Sequence, residues 1–186
     1  MARFTALIDA NVLFSMAITD LIMETARIGI FRVRWSNDIH DEWTRNLIDK
    51  YPEEKINRRR EAMERAIPDA CVTGYEPLIE GLTLPDAKDR HVLAAAIAGG
   101  ADVIVTKNLK HFPDDALSPF GIEAQHPDTF LIHQRGLSEQ TFLECARRCR
   151  ARLKNPPKSV DEYLEALQRA ELVVLAAELT KVKGLL

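Results

Sequence analysis

Two hydrophobic rhythms alternate through the first 134 residues. Short unbroken apolar runs read as buried strands: FTALI (Phe4 to Ile8) and VIVT within ADVIVT, ending at Thr106. FRVRW (Phe31 to Trp35) alternates as a second strand, and GIEAQ, residues 121–125, reads as a further short one. Between them, apolar residues recur every three or four positions, as on one face of a helix. Thr19 is expected to cap a helix carrying Leu21, Ile22 and Ile28 and stopping at Gly29. Ser36 is expected to cap the next, with Ile39, Trp43 and Leu47 at steps of four, and Pro52 opens a charge-rich helix closing near Pro68. LTLPDAKDRHVLAAAIAGG is the most legible stretch, with Pro85 in a first turn, good helix formers from Ala87 to Ala98, and Gly99-Gly100 as the stop. A final helix of this part starts near Asp128. Strands separated by helices predict an α/β fold: a parallel sheet with helices on both faces.

Beyond Gln134 the pattern is helical throughout. Ser138 is placed to cap a helix, with Leu137 and Phe142 as a hydrophobic staple, that ends before Asn155-Pro156-Pro157. Ser159 and Glu162 form a capping box opening a second helix that runs to about Lys183. The expected organisation is therefore an α/β domain over residues 1–134 and a C-terminal helical hairpin over 135–186. So short a hairpin is expected to pack on the first part or on a partner.

Composition narrows the class. A chain of 186 residues, 46% hydrophobic and 28% charged, can bury a core, and no apolar run nears the roughly 20 residues of a membrane span. MARFTALIDANVLF lacks the basic start and small-residue cleavage site of a signal peptide, so a cytoplasmic location is expected. The three cysteines, with Cys145 and Cys149 four apart, fit neither a disulfide framework nor a zinc knuckle and read as reduced thiols. A net charge of −3 argues against a strongly basic nucleic-acid binder, but it is an average: seven basic and two acidic residues between 135 and 158 give +5 and leave −8 elsewhere.

In an open parallel sheet, ligands bind at the carboxyl ends of the strands. Asp9 ends the first strand, either as a turn or N-cap aspartate before Asn11 or as a ligand. Asp86 and Asp89, three apart at a helix start, share one face, which suits either the helix dipole or a site. Asn108 emerges beyond Thr106 on the rim that holds Asp9, whereas Asp102 opens the same strand about 20 Å away and is excluded. Glu42, taken alone, is a surface glutamate, and Asp38 or Asp41 is as well placed to be exposed. Arg147, Arg148, Arg150 and Arg152 spread over more than one helix face, as phosphate contacts, as a solvated surface or as a docking site for an acidic partner. Arg58 to Arg60, flanked by Glu53, Glu54, Glu61 and Glu64, read as a salt-bridged face. An aspartyl-nucleophile phosphatase would want an acid where Asn11 stands, and Gly99-Gly100 ends a helix rather than opening a dinucleotide loop.

LIDANVLF, SNDIHDEW, LPDAKDRHVLAAA and IVTKNLKHFP, in this order and spacing over about residues 4–134, resemble the PIN-domain nucleases, and more narrowly the VapC-type ribonuclease toxins of bacterial toxin–antitoxin pairs. The resemblance implies a doubly wound sheet of about five parallel strands and an acidic pocket holding Mg²⁺ or Mn²⁺. It implies Asp9, Glu42 and Asp89 as metal ligands and Asp86 as an additional acid; Asn108 falls where relatives carry Asp or Asn, and His111 where they often carry an acid. Thr106 and the four arginines complete the expected site as substrate contacts. Clustered carboxylates repel one another unless a cation neutralises them, and oxygen ligands suit a hard divalent ion better than zinc. The implied reaction is metal-assisted hydrolysis of RNA to a 5′-phosphate and a 3′-hydroxyl, with Asp89 or Glu42 orienting the water. The implied partners are the RNA and a small antitoxin, with no membrane; the last helices would serve the antitoxin groove, a homodimer or substrate binding. Asn108 and His111 also support an alternative, a catalytically degenerate PIN-fold module that binds RNA or protein without cutting.

Overall fold

A computed structural model describes residues 4–186; the first three residues of the leader reading lie outside them. Five strands form one parallel sheet: β1 (Thr5–Ile8), β2 (Arg32–Ser36), β3 (Cys71–Val72), β4 (Val103–Val105) and β5 (Glu123–Gln125). Their order is β3-β2-β1-β4-β5, so β1 is central, pairing Leu7 with Arg34 on one side and with Ile104 on the other. The chain winds outward from β1 in one direction and then restarts at β4 in the other. A crevice therefore opens between the carboxyl ends of β1 and β4, the place where doubly wound sheets bind ligands. Ala6, Leu7, Ile8, Val103, Ile104 and Val105 are all fully buried, which accounts for their continuous apolar runs.

The helices in chain order are α1 (Ala10–Leu13), α2 (Met16–Arg27), α3 (Asn37–Leu47), α4 (Glu53–Ala66), α5 (Arg90–Ala98), α6 (Asp114–Leu117), α7 (Pro127–Leu137), α8 (Glu139–Arg152), α9 (Val160–Arg169) and α10 (Val173–Thr180). None is long and apolar enough to cross a membrane. Ser36 caps α3 by accepting from the Ile39 amide, and Ser159 and Glu162 form the expected capping box on α9. Thr19 caps nothing: α2 begins three residues earlier with Ser15 as its cap, and the Thr19 hydroxyl bonds back to the Ser15 carbonyl. Ser138 makes no side-chain cap bond to α8, and the expected staple does not close, since Leu137 is 69% exposed while Phe142 is buried. The last long helix is broken between α9 and α10 at Glu171, whose φ of 70° is left-handed. Asp128 supplies the missing cap for α10, accepting from the amides of Val174 and Leu175 at 2.8 and 2.9 Å.

The chain forms two compact units, one from the residues through Phe14 with Phe31–His126, the other from Ser15–Ile30 with Pro127–Leu186. The expected boundary after residue 134 falls inside α7. In the first unit α5 packs along β1, β2 and β4, and Gly99 after it has no room for a side chain, because a Cβ there would meet the Val72 side chain at 2.8 Å. In the second unit α2 packs on α8 and α9. Their junction holds Glu24, 3% exposed, whose carboxylate accepts from Arg152 at 2.6 Å and Arg27 at 2.8 Å, with Arg148 at 3.6 Å. Burial alone would raise the Glu24 carboxyl, but the bonds from Arg152 and Arg27 outweigh it and hold the group below its ordinary value.

Candidate functional site

The crevice is built from both strands that border it. The Asp9 amide extends the ladder by donating to the Val105 carbonyl, which leaves the Asp9 side chain at the mouth of the β1–β4 gap, only 4% exposed. Its Oδ1 accepts from the Ala10 amide at 2.7 Å, capping α1. Its Oδ2 accepts from the Thr106 hydroxyl at 2.7 Å and from the Asn11 amide side chain at 2.5 Å. Asn11 ties the two loops together, since its Nδ2 also reaches Thr106 Oγ1 at 3.0 Å and its Oδ1 accepts from the Lys107 amide at 2.9 Å. Burial raises the Asp9 carboxyl to about 6; the Thr106 and Ala10 bonds oppose this, and the charges of Glu42 and Asp89 reinforce it. A carboxylate has thus been buried among neutral donors and other carboxylates.

Beside it lies an open cavity of about 540 Å³. Asp38, Asp41, Glu42 and Arg45 line it from α3; Asp86, Lys88 and Asp89 come from the turn before α5, His91 from α5, and Asn108 and His111 from the segment after β4. Asp9 is not among the lining residues. Glu42 lies beside the buried Ile39, Trp43 and Leu47 stripe and keeps 38% of its side chain exposed. Its Oε2 is 3.5 Å from His91 Nε2; burial lowers that imidazole, but the bond and charge of Glu42 outweigh it and leave it raised. Asp86 and Asp89 do not share the first turn of an α-helix. Ala87–Asp89 is a 3₁₀ turn capped by Asp86 through the Lys88 amide at 2.9 Å, and α5 starts at Arg90. Side chains three apart eclipse in a 3₁₀ turn, so the two acids still point together.

Asp89 Oδ2 meets His111 Nδ1 at 2.7 Å. Burial raises the Asp89 carboxyl, His111 opposes this, and Asp86 and Glu42 add to it. Among the described residues, Asp86, Asp89 and His111 are the set whose ligand atoms lie within 4.8 Å of one another. Of the expected metal ligands Asp9, Glu42 and Asp89, only Asp89 belongs to this set; Asp9 and Glu42 act on it through their charges.

Two groups of expected substrate residues have other partners. Thr106 is fully buried, and its hydroxyl donates to Asp9 while accepting from the Asn108 amide at 3.0 Å, so it holds the aspartate rather than facing solvent. The four arginines belong to the second unit. Arg147 and Arg148 chelate Glu144, Arg152 is on Glu24, and Arg150 reaches the carbonyls of Lys158 and Leu186. Asn11 and His91 were the contributors to which the sequence gave no part in the site, and His111, read only as standing where relatives often carry an acid, pairs with Asp89. His91 had a signal in its position two residues after Asp89 on the same turn, but the Asn11 clamp spans 95 residues and has none.

Residues 5–110 match the family model described as PIN domain, and residues 127–181 match one described as VapC50 C-terminal domain. A protein of Mycobacterium tuberculosis (strain ATCC 25618 / H37Rv) named "Putative ribonuclease VapC50" is 47% identical over 98 residues, which cover 53% of this chain and 57% of that protein. No solved structure matches the chain.

Proposed function

We propose, from the premise that this chain belongs to the PIN domain family, that it is a divalent-metal-dependent endoribonuclease acting in the cytoplasm as the toxin of a toxin–antitoxin pair. The observation that carries this reading is the crevice itself: Asp9, buried and raised to about 6 among neutral donors, beside a cavity lined by Glu42, Asp86 and Asp89. Five carboxylates line the cavity against the side chains of Arg45 and Lys88, an imbalance that calls for a further cation from outside. The donor set fits a hard divalent ion, Mg²⁺ or Mn²⁺: Asp86, Asp89 and His111 offer atoms within 4.8 Å of one another, no thiolate is present among them, and Asp9 and Glu42 add negative charge. When bound, such an ion neutralises a phosphate and makes a water more acidic.

The protein's own residues orient that chemistry. Thr106 and Asn11 fix the Asp9 carboxylate from two sides, and His111 and His91 hold Asp89 and Glu42. Glu42 or Asp89 accepts the proton of a water attacking phosphorus, the bond from phosphorus to the 3′ oxygen breaks, that oxygen takes up a proton from solvent water, and the products are a 5′-phosphate and a 3′-hydroxyl. Arg147 and Arg148, about half exposed, are available to backbone phosphates despite their bonds to Glu144. A small antitoxin that covers the acidic cavity is the proposed protein partner.

A second reading, a PIN-fold module that binds without cutting, is favoured by Asn108 in place of a further acid and by His111 pairing with Asp89. One experiment separates the two: incubation of RNA with the purified protein in Mg²⁺ or Mn²⁺, with analysis of the ends formed. Cleavage to 5′-phosphate ends that is lost in Asp9→Asn supports the nuclease. Wild type and Asp9→Asn equally inert at saturating metal would leave the binding module.

A further inference from the structure

A cavity lined by acids repels the anion it is proposed to cut, so cations must stand close by. Arg45 and Lys88 are such cations, and each belongs to an element that supplies an acid: Arg45 is three residues beyond Glu42 on α3, and Lys88 directly precedes Asp89. Both are exposed, and among the described residues neither side chain has an ion-pair partner. For Arg45 this runs against local expectation, since Asp41 four residues earlier is the natural mate on a helix. Asp41 is instead taken by Arg60 at 2.6 Å, and Arg60 is held in place by Glu64 at 3.0 Å and by Asn37 at 3.1 Å. The α4 guanidinium thereby releases the α3 one.

Arg45 also stands where two concavities meet. A second depression of about 280 Å³ shares Asp41 and Arg45 with the acidic cavity and is otherwise lined by Thr44, Ile48, Glu53, Ile56 and Asn57. Ile48 is 51% exposed there, beside the exposed amide side chain of Asn57. An apolar surface next to an amide matches a nucleobase, whose face is apolar and whose edge carries donors and acceptors. Resting on the nuclease reading, we propose that Arg45 and Lys88 hold the RNA phosphates flanking the one that is cut, and that the depression beyond Arg45 receives the adjoining nucleobase of a single strand.

The test is steady-state cleavage of short single-stranded RNAs, varied at the nucleotide next to the cut, over a series of salt concentrations. Arg45→Ala raises KM about tenfold with kcat moving far less, and the log–log dependence of KM on salt becomes shallower by about 0.7, the share of one phosphate contact. Lys88→Ala does the same to a similar extent, Arg45→Lys restores most of the salt slope, and Asn57→Ala narrows the preference among flanking nucleotides with the slope unchanged. Arg45→Ala with wild-type KM and salt slope, or with lost kcat at unchanged KM, overturns the proposal while leaving the nuclease intact. Wild-type protein that leaves every RNA uncut overturns the nuclease reading itself, and this inference with it. An unchanged melting temperature of Arg45→Ala verifies that the exposed guanidinium has no part in folding.

Discussion

Two carboxylates, one in each unit, expose almost no surface and have opposite fates. Glu24, 3% exposed, is held below its ordinary value; Asp9, 4% exposed, rises to about 6. Asp9 lies deeper in the fold, and their company decides the rest. Glu24 is met by the guanidiniums of Arg152, Arg27 and Arg148, whereas Asp9 is met by a hydroxyl, a side-chain amide and a backbone amide, with Glu42 and Asp89 nearby. A buried charge that the fold neutralises for itself is architecture. One left without a cation of its own is an invitation to a cation from outside, and that difference is why the proposed chemistry is assigned to the first unit.

Removing an acid from the first unit gives the largest expected effect: Asp89→Asn lowers metal-dependent RNA cleavage by more than about a hundredfold, beyond what loss of a supporting residue around a metal causes. Asp9 next yields a stability effect of unusual sign. Because its folded value lies above the ordinary 3.8, the folded protein keeps a proton that the unfolded chain has released, and stability falls as pH rises through that window to about 6. In EDTA, urea unfolding of Asp9→Asn against wild type is expected to show no gap near pH 4 and a gain of about 3 kcal/mol for the variant at pH 7. Saturating Mn²⁺ closes the gap; a gap that is flat with pH would show that Asp9 is not strained by its charge.

Glu24→Gln should act in the reverse direction, destabilising the second unit by about 2 kcal/mol at pH 7, less than a fully buried pair because the arginines are about half exposed. Since the Glu24 value is lowered, its contribution is present above the ordinary 4.5 and disappears as pH falls through the folded value, so wild type and variant converge in acid. The smallest effect belongs to Thr106→Val, which removes one bond to Asp9: about 1 kcal/mol of stability and a roughly tenfold rise in the metal concentration for half-maximal cleavage.

What the sequence made legible was local. The apolar runs of β1 and β4, the Ser36 cap and the Ser159–Glu162 box each sit within a few residues of what they bond, and all are present. β3 escaped because two residues, Cys71 and Val72, carry no periodicity. The break at Glu171 escaped because Ala170-Glu171-Leu172 contains neither glycine nor proline, and the cap that lets α10 restart comes from Asp128, 46 residues back. The candidate site divides the same way. Asp9, Asp86 and Asp89 could be read from a strand end and from spacing, and Glu42 only from the family resemblance, but Thr106 acts on Asp9 and Asn11 across the sheet, and Asp41, the local mate of Arg45, is taken by Arg60 from another helix. Contacts of long sequence separation leave no trace in a pattern of neighbours.

The membership of α2 in the second unit bears on how the molecule is made. Residues 15–30 leave the ribosome well before α8 and α9, the helices on which α2 packs. In that interval the nascent chain carries an amphipathic helix without its cover, the condition that favours aggregation or holding by a chaperone. A fragment stopped at residue 126 carries that helix permanently, so the two units, although distinct in space, are not pieces to be cut apart at a single peptide bond.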